Sequence, residues 1–84
     1  MELKELESAI EGILFAAGDP MPSERICLVL EQDRETVDSV CQRLADQYSY
    51  ERRGIRLVKL DNCWQMCSAP DWAEQIRRAM ENRK

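Results

Sequence analysis

Cysteine is the residue type in this chain that most readily supports chemistry, because thiolates coordinate zinc, form disulfides and act as nucleophiles. The chain has no histidine and four cysteines, which are Cys27, Cys41, Cys63 and Cys67. Cys63 and Cys67 fall four residues apart in one predicted strand, which separates their Cα atoms by about 13 Å. That distance is too long for a disulfide or a shared zinc. We therefore expect free thiols, with no metal and no cofactor.

Paired carboxylates are the next candidates for chemistry. Glu7 and Glu11 lie four residues apart on a predicted helix, where they form a solvated surface rather than a dyad in a cleft. The chain also has no imidazole base and no glycine-rich phosphate-binding motif. These observations predict a binding module and not an enzyme.

Charge is divided unevenly along the chain. Residues 1–51 carry 12 acidic and 4 basic side chains, whereas residues 52–84 carry 4 acidic and 8 basic ones. The net charge of −4 is the opposite of what a nucleic-acid-binding domain usually carries. A local basic cluster does occur, formed by Arg52, Arg53, Arg56 and Lys59. It could contact phosphates weakly, or it could be a solvated strand edge whose cations discourage aggregation.

Apolar periodicity predicts three helices in the first half of the chain, over Leu3–Ala17, Ser23–Glu31 and Arg34–Tyr48. Gly18 is expected to end the first helix in a left-handed conformation. Ser23 is expected to cap the second helix through its hydroxyl.

The third helix occupies the position of a DNA-recognition helix, so its outward face is informative. The residues predicted on that face are Glu35, Asp38, Ser39, Gln42, Arg43 and Asp46. Three carboxylates there would repel phosphates. Sequence-specific DNA binding through this helix is therefore not expected.

A hairpin is predicted next, with strands Ile55–Leu60 and Cys63–Ser68 around a turn at Asp61-Asn62, two residues that both tolerate positive φ. Its register would pair Leu57 with Met66. The face predicted to meet the core comprises Ile55, Leu57, Trp64 and Met66. The other face comprises Val58, Leu60, Cys63 and Cys67. That second face is either an exposed contact patch or covered by a chain end.

A fourth helix is predicted over Pro70–Met80. Trp72, Ile76 and Met80 repeat at four-residue spacing, flanked by Ala73, and are predicted to join the core. The resulting element order predicts an α+β, mainly α fold. Specifically, residues 1–84 would form a single winged helix-turn-helix domain with a two-stranded wing and a C-terminal helix. The sequence has no membrane-length apolar run, and its N-terminus is too charged for a secretory signal, so we expect a cytoplasmic protein.

A row of small residues marks one face of the first helix. Ser8, Gly12 and Ala16 repeat every four residues, with Phe15 beside them. The row is interpreted either as a self-association or partner surface, or as a surface that packs against another helix of the same domain. If it is a contact surface, Val58, Leu60 and Cys63 on the wing are the second candidates.

Two stretches resemble the family of segregation and condensation protein B. The run from Ile10 to Met21 is similar to the family's I-E-A-L-L-F-A-like helix and Gly-x-Pro turn. The second stretch is Arg53-Gly54-Ile55-x-Leu57 followed by a return strand with Trp64-Gln65-Met66. The resemblance extends over residues 9–78 in the family's order. It departs at Gly12, where the family commonly has alanine, and at Asp61-Asn62, where glycines are common.

The resemblance implies a non-enzymatic accessory subunit of the bacterial condensin complex, nucleoid-associated and needed for chromosome condensation and segregation. It implies a homodimer that binds the kleisin subunit, segregation and condensation protein A, and through it the structural-maintenance-of-chromosomes ATPase. It also implies that this chain is the N-terminal one of two winged-helix domains. The alternatives are a winged-helix DNA-binding transcription regulator that uses the basic cluster, and a structural fragment with no activity of its own.

Overall fold

A computed structural model describes residues 1–81. The helices in this range are α1 (Leu3–Ala17), α2 (Ser23–Leu30), α3 (Arg34–Tyr50) and α4 (Ala73–Glu81), and a 3₁₀ turn over Pro70–Trp72 precedes α4. The strands are β1 (Met21–Pro22), β2 (Ile55–Leu60) and β3 (Cys63–Ser68). This order confirms the predicted winged helix and adds one short strand.

The helix ends follow local chemistry. Gly18 ends α1 with φ of 73°, a backbone conformation that glycine adopts without steric cost, as predicted. Asp33 caps α3 by accepting a hydrogen bond from the backbone N–H of Thr36 at 2.8 Å. The predicted cap at Ser23 is wrong: Pro22 occupies the N-cap position, and Ser23 is the first helical residue and fully buried.

The sheet has the order β1-β3-β2 and is antiparallel throughout. The predicted hairpin register is confirmed, with Leu57 opposite Met66. In the turn, only Asp61 takes a positive φ, at 56°. β1 was not predicted, because a two-residue strand that includes a proline has no alternation to detect. It pairs Met21 with Trp64 and thereby joins the turn after α1 to the wing.

The core lies between α1, α2, α3 and one face of the hairpin. Leu57 and Trp64 are buried and Met66 is half-buried, which confirms the predicted core face of the hairpin at these three residues. The prediction is wrong for Ile55, which begins β2 at the edge of that face and is exposed. The helical contributors are Leu6, Ile10, Leu14, Ile26, Val37, Val40, Cys41, Leu44 and Tyr48.

The prediction that α4 joins the core is wrong. Trp72 is 51% exposed and Met80 60% exposed, Ile76 is only half-buried, and α4 contains no buried residue. The first three helices and the sheet already enclose the core without α4, so its apolar stripe stays exposed. Consistent with a projecting helix, the Cα radius of gyration is 14.1 Å, against about 12 Å expected for a compact chain of this length. No helix among the described residues is long and apolar enough to span a membrane.

Candidate protein-interaction surface

An apolar groove lies between α1 and the hairpin. Two cavities of about 260 and 310 Å³ share Phe15, Ile55 and Met66 in their walls. Ser8 and Gly12 complete the groove at one end, and Gly18 and Ser68 complete it at the other. We call this feature the α1–hairpin groove. Phe15 is 78% exposed on its rim, an unusual position for a phenylalanine in a small domain.

The small-residue row on α1 faces open space. Ser8, Gly12 and Ala16 are all exposed, and a Cβ built on Gly12 would meet no atom within 4 Å. The row therefore does not pack against another helix of the described domain. Ser8, Gly12 and Phe15 line one groove, as the spacing on one helix face suggests, whereas Ala16 is exposed but is not among the lining residues. Their role in self-association stays a prediction.

The second candidate surface, on the wing, is divided. Val58 and Cys63 are half-buried, whereas Leu60 is exposed at the tip. At the other end of the same face, Arg56 approaches Asp71 of the 3₁₀ turn at 3.7 Å. The beginning of the C-terminal segment therefore contacts one end of this face, where Cys67 stays exposed, and the Leu60 end is open. The role of this face as a contact patch stays a prediction.

The basic cluster is largely engaged within the domain. Arg56 donates to the backbone carbonyls of Arg53 and Ile55. Arg53 lies 3.9 Å from Glu51, and the Lys59 ammonium lies 5.9 Å from the centre of the Trp64 ring. These contacts favour the structural interpretation of the cluster over a phosphate-binding one.

One carboxylate predicted on the outward face of α3 points inward instead. Asp38 accepts hydrogen bonds from the Ser23 hydroxyl at 2.8 Å, the Trp64 indole N–H at 2.9 Å and Arg34 Nε at 2.9 Å. Burial acts to raise the pKa of Asp38, but the three hydrogen bonds and the Arg34 charge outweigh burial and lower the pKa. Arg34 four residues earlier was the only visible signal for this cluster, which joins α2, α3 and β3.

The carboxylates of α1 also have partners. Arg43 Nε donates to Glu7 at 2.8 Å, and the Tyr48 hydroxyl donates to Glu11. Both contacts link α1 to α3. Burial and the hydrogen bond to Glu11 raise the pKa of Tyr48. Glu7 and Glu11, which were predicted to be solvated, therefore each accept a hydrogen bond from a side chain of α3, and their role is structural.

The cysteines are free thiols in very different surroundings. Cys41 is fully buried on α3, and burial raises its pKa to about 12. Cys67 is exposed on β3 beside the α1–hairpin groove. Within residues 1–81, no group of three or more His, Cys, Asp or Glu side chains is arranged to hold a metal ion.

These features define a class: a winged-helix domain with an engaged basic wing, an acidic third helix and an open apolar groove. Comparison with known proteins identifies the family within that class. The family model described as "Segregation and condensation complex subunit ScpB" matches residues 8–84, and the chain belongs to this family. The resemblance noted in the sequence is thereby confirmed.

Curated relatives carry the same description. Segregation and condensation protein B of Ruminiclostridium cellulolyticum is 33% identical over 84 residues, which is all of this chain and 44% of that protein. The protein of the same name from Lachnoclostridium phytofermentans is 40% identical over 76 residues, 90% of this chain and 40% of that protein. The chain thus spans less than half the length of these relatives.

Solved structures support the fold. A crystal structure described as a dimer of the ScpB N-terminal domain complexed with ScpA peptide matches with a TM-score of 0.85 and 29% identity, covering 92% of this chain and 96% of that one. ScpB from Mycobacterium tuberculosis matches with a TM-score of 0.91 at 21% identity, over 95% of this chain and 50% of that one. At that identity, the second match concerns the fold alone.

Proposed function

We propose that this chain acts, without enzymatic activity, as a dimerising and kleisin-binding domain of the bacterial condensin complex. Its partners would be a second copy of itself and segregation and condensation protein A, and through that protein the structural-maintenance-of-chromosomes ATPase. Its place would be on the chromosome in the cytoplasm, in condensation and segregation. It would correspond to the N-terminal winged-helix domain of a two-domain subunit.

The observation that carries this proposal is the likeness to the solved N-terminal domain. That structure is described as a dimer bound to a ScpA peptide, and this chain covers 96% of it. The family membership supports the assignment to the condensation complex. A shared fold alone would not assign function, so the surface has to agree with the proposal.

The surface of the domain agrees. Its open features are apolar: Phe15 on the groove and Trp72 and Met80 near the C-terminus are all exposed. Exposed apolar side chains grouped in patches are typical of protein contacts. In the basic cluster, by contrast, three of the four cations contact groups of their own domain. A DNA-binding regulator would need those cations free for phosphates.

The first test is the solution mass by light scattering over a hundredfold range of concentration. The proposal expects a dimer of the 84-residue chain. Calorimetric titration with a synthetic segment of segregation and condensation protein A then tests the second partner. A labelled duplex titrated at low salt tests the regulator alternative, for which tight binding with a steep salt dependence would be required. A monomer at every concentration, with no peptide binding, would refute the proposal.

A further inference from the structure

Helix α4 is amphipathic, and its apolar side is uncovered. Trp72, Ala73, Ile76, Ala79 and Met80 follow the spacing of one helical stripe. On the polar side, Arg77 bonds to both Glu74 and Glu81. A nine-residue helix is only marginally stable alone in water, because helical stability in proteins comes mainly from packing of the apolar face. The apolar side of α4 therefore needs another surface to pack against.

The α1–hairpin groove matches this stripe in length and character. Residues 8–18 of the α1 segment line it, which corresponds to about 15 Å along the helix axis. The nine residues of α4 extend about 14 Å. Apolar atoms of Phe15, Ile55 and Met66 line the middle of the groove, as a row of apolar helix side chains would require.

The groove is separated from the helix of its own chain. Ala69 is fully buried and its N–H donates to the Gly54 carbonyl at 2.8 Å, which fixes the exit from β3. Asp71 then contacts Arg56. Arg56 lies on the opposite hairpin face from Ile55, which lines the groove. The helix does not fill the groove of its own chain, because Phe15 on the rim stays 78% exposed and α4 contains no buried residue.

Charge does not oppose a contact between the two elements. Residues 3–17 carry 3 acidic and 1 basic side chain, whereas α4 carries 2 acidic and 2 basic ones and so has no net charge. A second copy of the same chain therefore supplies a helix of suitable length and apolar pattern for each groove.

We propose that α4 of one copy docks in the α1–hairpin groove of a second copy, so that two chains exchange their C-terminal helices around a two-fold axis. Trp72, Ile76 and Met80 then pack on Phe15, Ile55 and Met66. The reciprocal exchange closes the assembly at two copies. This inference rests on the homodimerisation proposed above and assigns its surface.

The surface area that this contact would bury is of the order that a specific interface needs. Burying the exposed parts of Phe15, Trp72 and Met80 in both grooves would remove on the order of 800 Å² from water, given that an aromatic side chain buries about 150–250 Å². Specific interfaces bury about 1,200–2,000 Å² in total. These side chains alone would supply roughly half of that area, and their neighbours along both elements would supply the rest.

The test combines single variants with a mixture. Phe15→Glu alters the groove and Ile76→Arg alters the helix, and each is expected to weaken the dimer at least about 30-fold, the effect of a central interface residue. Leu28→Glu is the matched control, because Leu28 is a comparably exposed apolar residue on α2, outside the groove. Its dimer should match the wild type in light scattering.

Mixing the two variants in equal amounts should restore dimers. In a dimer of either variant alone, both groove–helix contacts are altered. A dimer of the two different variants keeps one contact between an unaltered groove and an unaltered α4. The other groove of that pair then brings the introduced carboxylate and guanidinium together. An interface in which α1 packs on α1 of the second copy offers no such restoration.

Four outcomes overturn the inference. The first two are an Ile76→Arg variant that dimerises as strongly as the wild type, and a mixture of the two variants that stays monomeric. The third is a Leu28→Glu variant whose dimer is as weak as that of the groove variant. The fourth is an α4 variant that still dimerises but no longer binds the kleisin segment. Met80→Arg, at a 60% exposed position, repeats the helix test where unfolding is not a concern. A monomeric wild type would refute the proposed dimer itself, which separates the two failures.

Discussion

Replacement of Asp38 by alanine tests the hydrogen-bond cluster that joins α2, α3 and β3. The substitution removes the acceptor of two buried donors, the Ser23 hydroxyl and the Trp64 indole N–H. Ser23 is fully buried and Trp64 is 2% exposed, so water cannot replace the lost acceptor without opening the core.

The magnitude follows from the two donors. Each buried donor left unpaired costs about 1–3 kcal/mol, and the partly exposed ion pair with Arg34 adds less than about 1 kcal/mol. A total of about 3 kcal/mol is a large part of the roughly 4–13 kcal/mol expected for a domain of this size. The melting temperature should fall by more than about 10 °C.

Urea unfolding followed by far-ultraviolet circular dichroism measures this effect. Asp46→Ala is the matched control, because Asp46 lies on the same helix, is exposed and bonds only to Gln42 within the described residues. Asp38→Asn keeps an oxygen for Ser23 and Trp64 and should cost less than the alanine variant. If Asp38→Ala and Asp46→Ala unfold within about 0.5 kcal/mol of each other, the cluster does not stabilise the fold in the way described.

Three further predictions concern the same domain. The lowered pKa of Asp38 means that its contribution is present above the unfolded-state pKa and is lost as pH falls through the folded value, so urea midpoints should decline below about pH 4 and decline less in Asp38→Asn. Gly18→Ala should destabilise by about 1 kcal/mol or more because φ is 73° there, whereas Gly12→Ala, inside α1 with open space around it, should stabilise by about 0.5–1 kcal/mol. Cys67 should react with a thiol reagent in the native protein, while Cys41 should react only on unfolding.

Each of these has a contradicting result. An Asp38→Asn variant whose acid sensitivity equals that of the wild type would remove Asp38 as the cause. Equal effects of alanine at positions 12 and 18 would contradict the backbone argument. Labelling of Cys41 at the rate of Cys67, measured by mass spectrometry, would show that α3 opens far more often than its burial implies.

Features set by local periodicity were predictable from the sequence. The bounds of α1 and both hairpin strands and the pairing of Leu57 with Met66 follow from spacing and turn residues alone. β1 was missed because its pairing with β3 depends on residues 41 or more positions away. Ser23 was assigned to a cap because its preference for that position is strong, but a carboxylate on another helix outcompetes the local backbone.

The candidate surfaces show more clearly what sequence periodicity cannot predict. The apolar stripe on α4 predicts burial against something, and the sequence cannot say whether that surface is in the same chain. Asp38 was placed outward by its position on the α3 helix, although its donors come from α2 and β3. By contrast, the small row on α1 was found from spacing because it lies within a single helix.

The two tryptophans lie in opposite environments, and this divides the intrinsic fluorescence of the protein into two reporters. Trp64 is enclosed beneath Lys59 with its indole N–H bonded to Asp38, so its emission is shielded from an aqueous quencher while the domain is folded. Trp72 is half-exposed at the start of the C-terminal helix, where a quencher reaches it until another surface covers it. Replacing either one by phenylalanine leaves a single tryptophan beside the two tyrosines, and tryptophan can be excited selectively. Trp64 then follows the integrity of the core, and Trp72 follows the occupancy of the surface around it, with no added label.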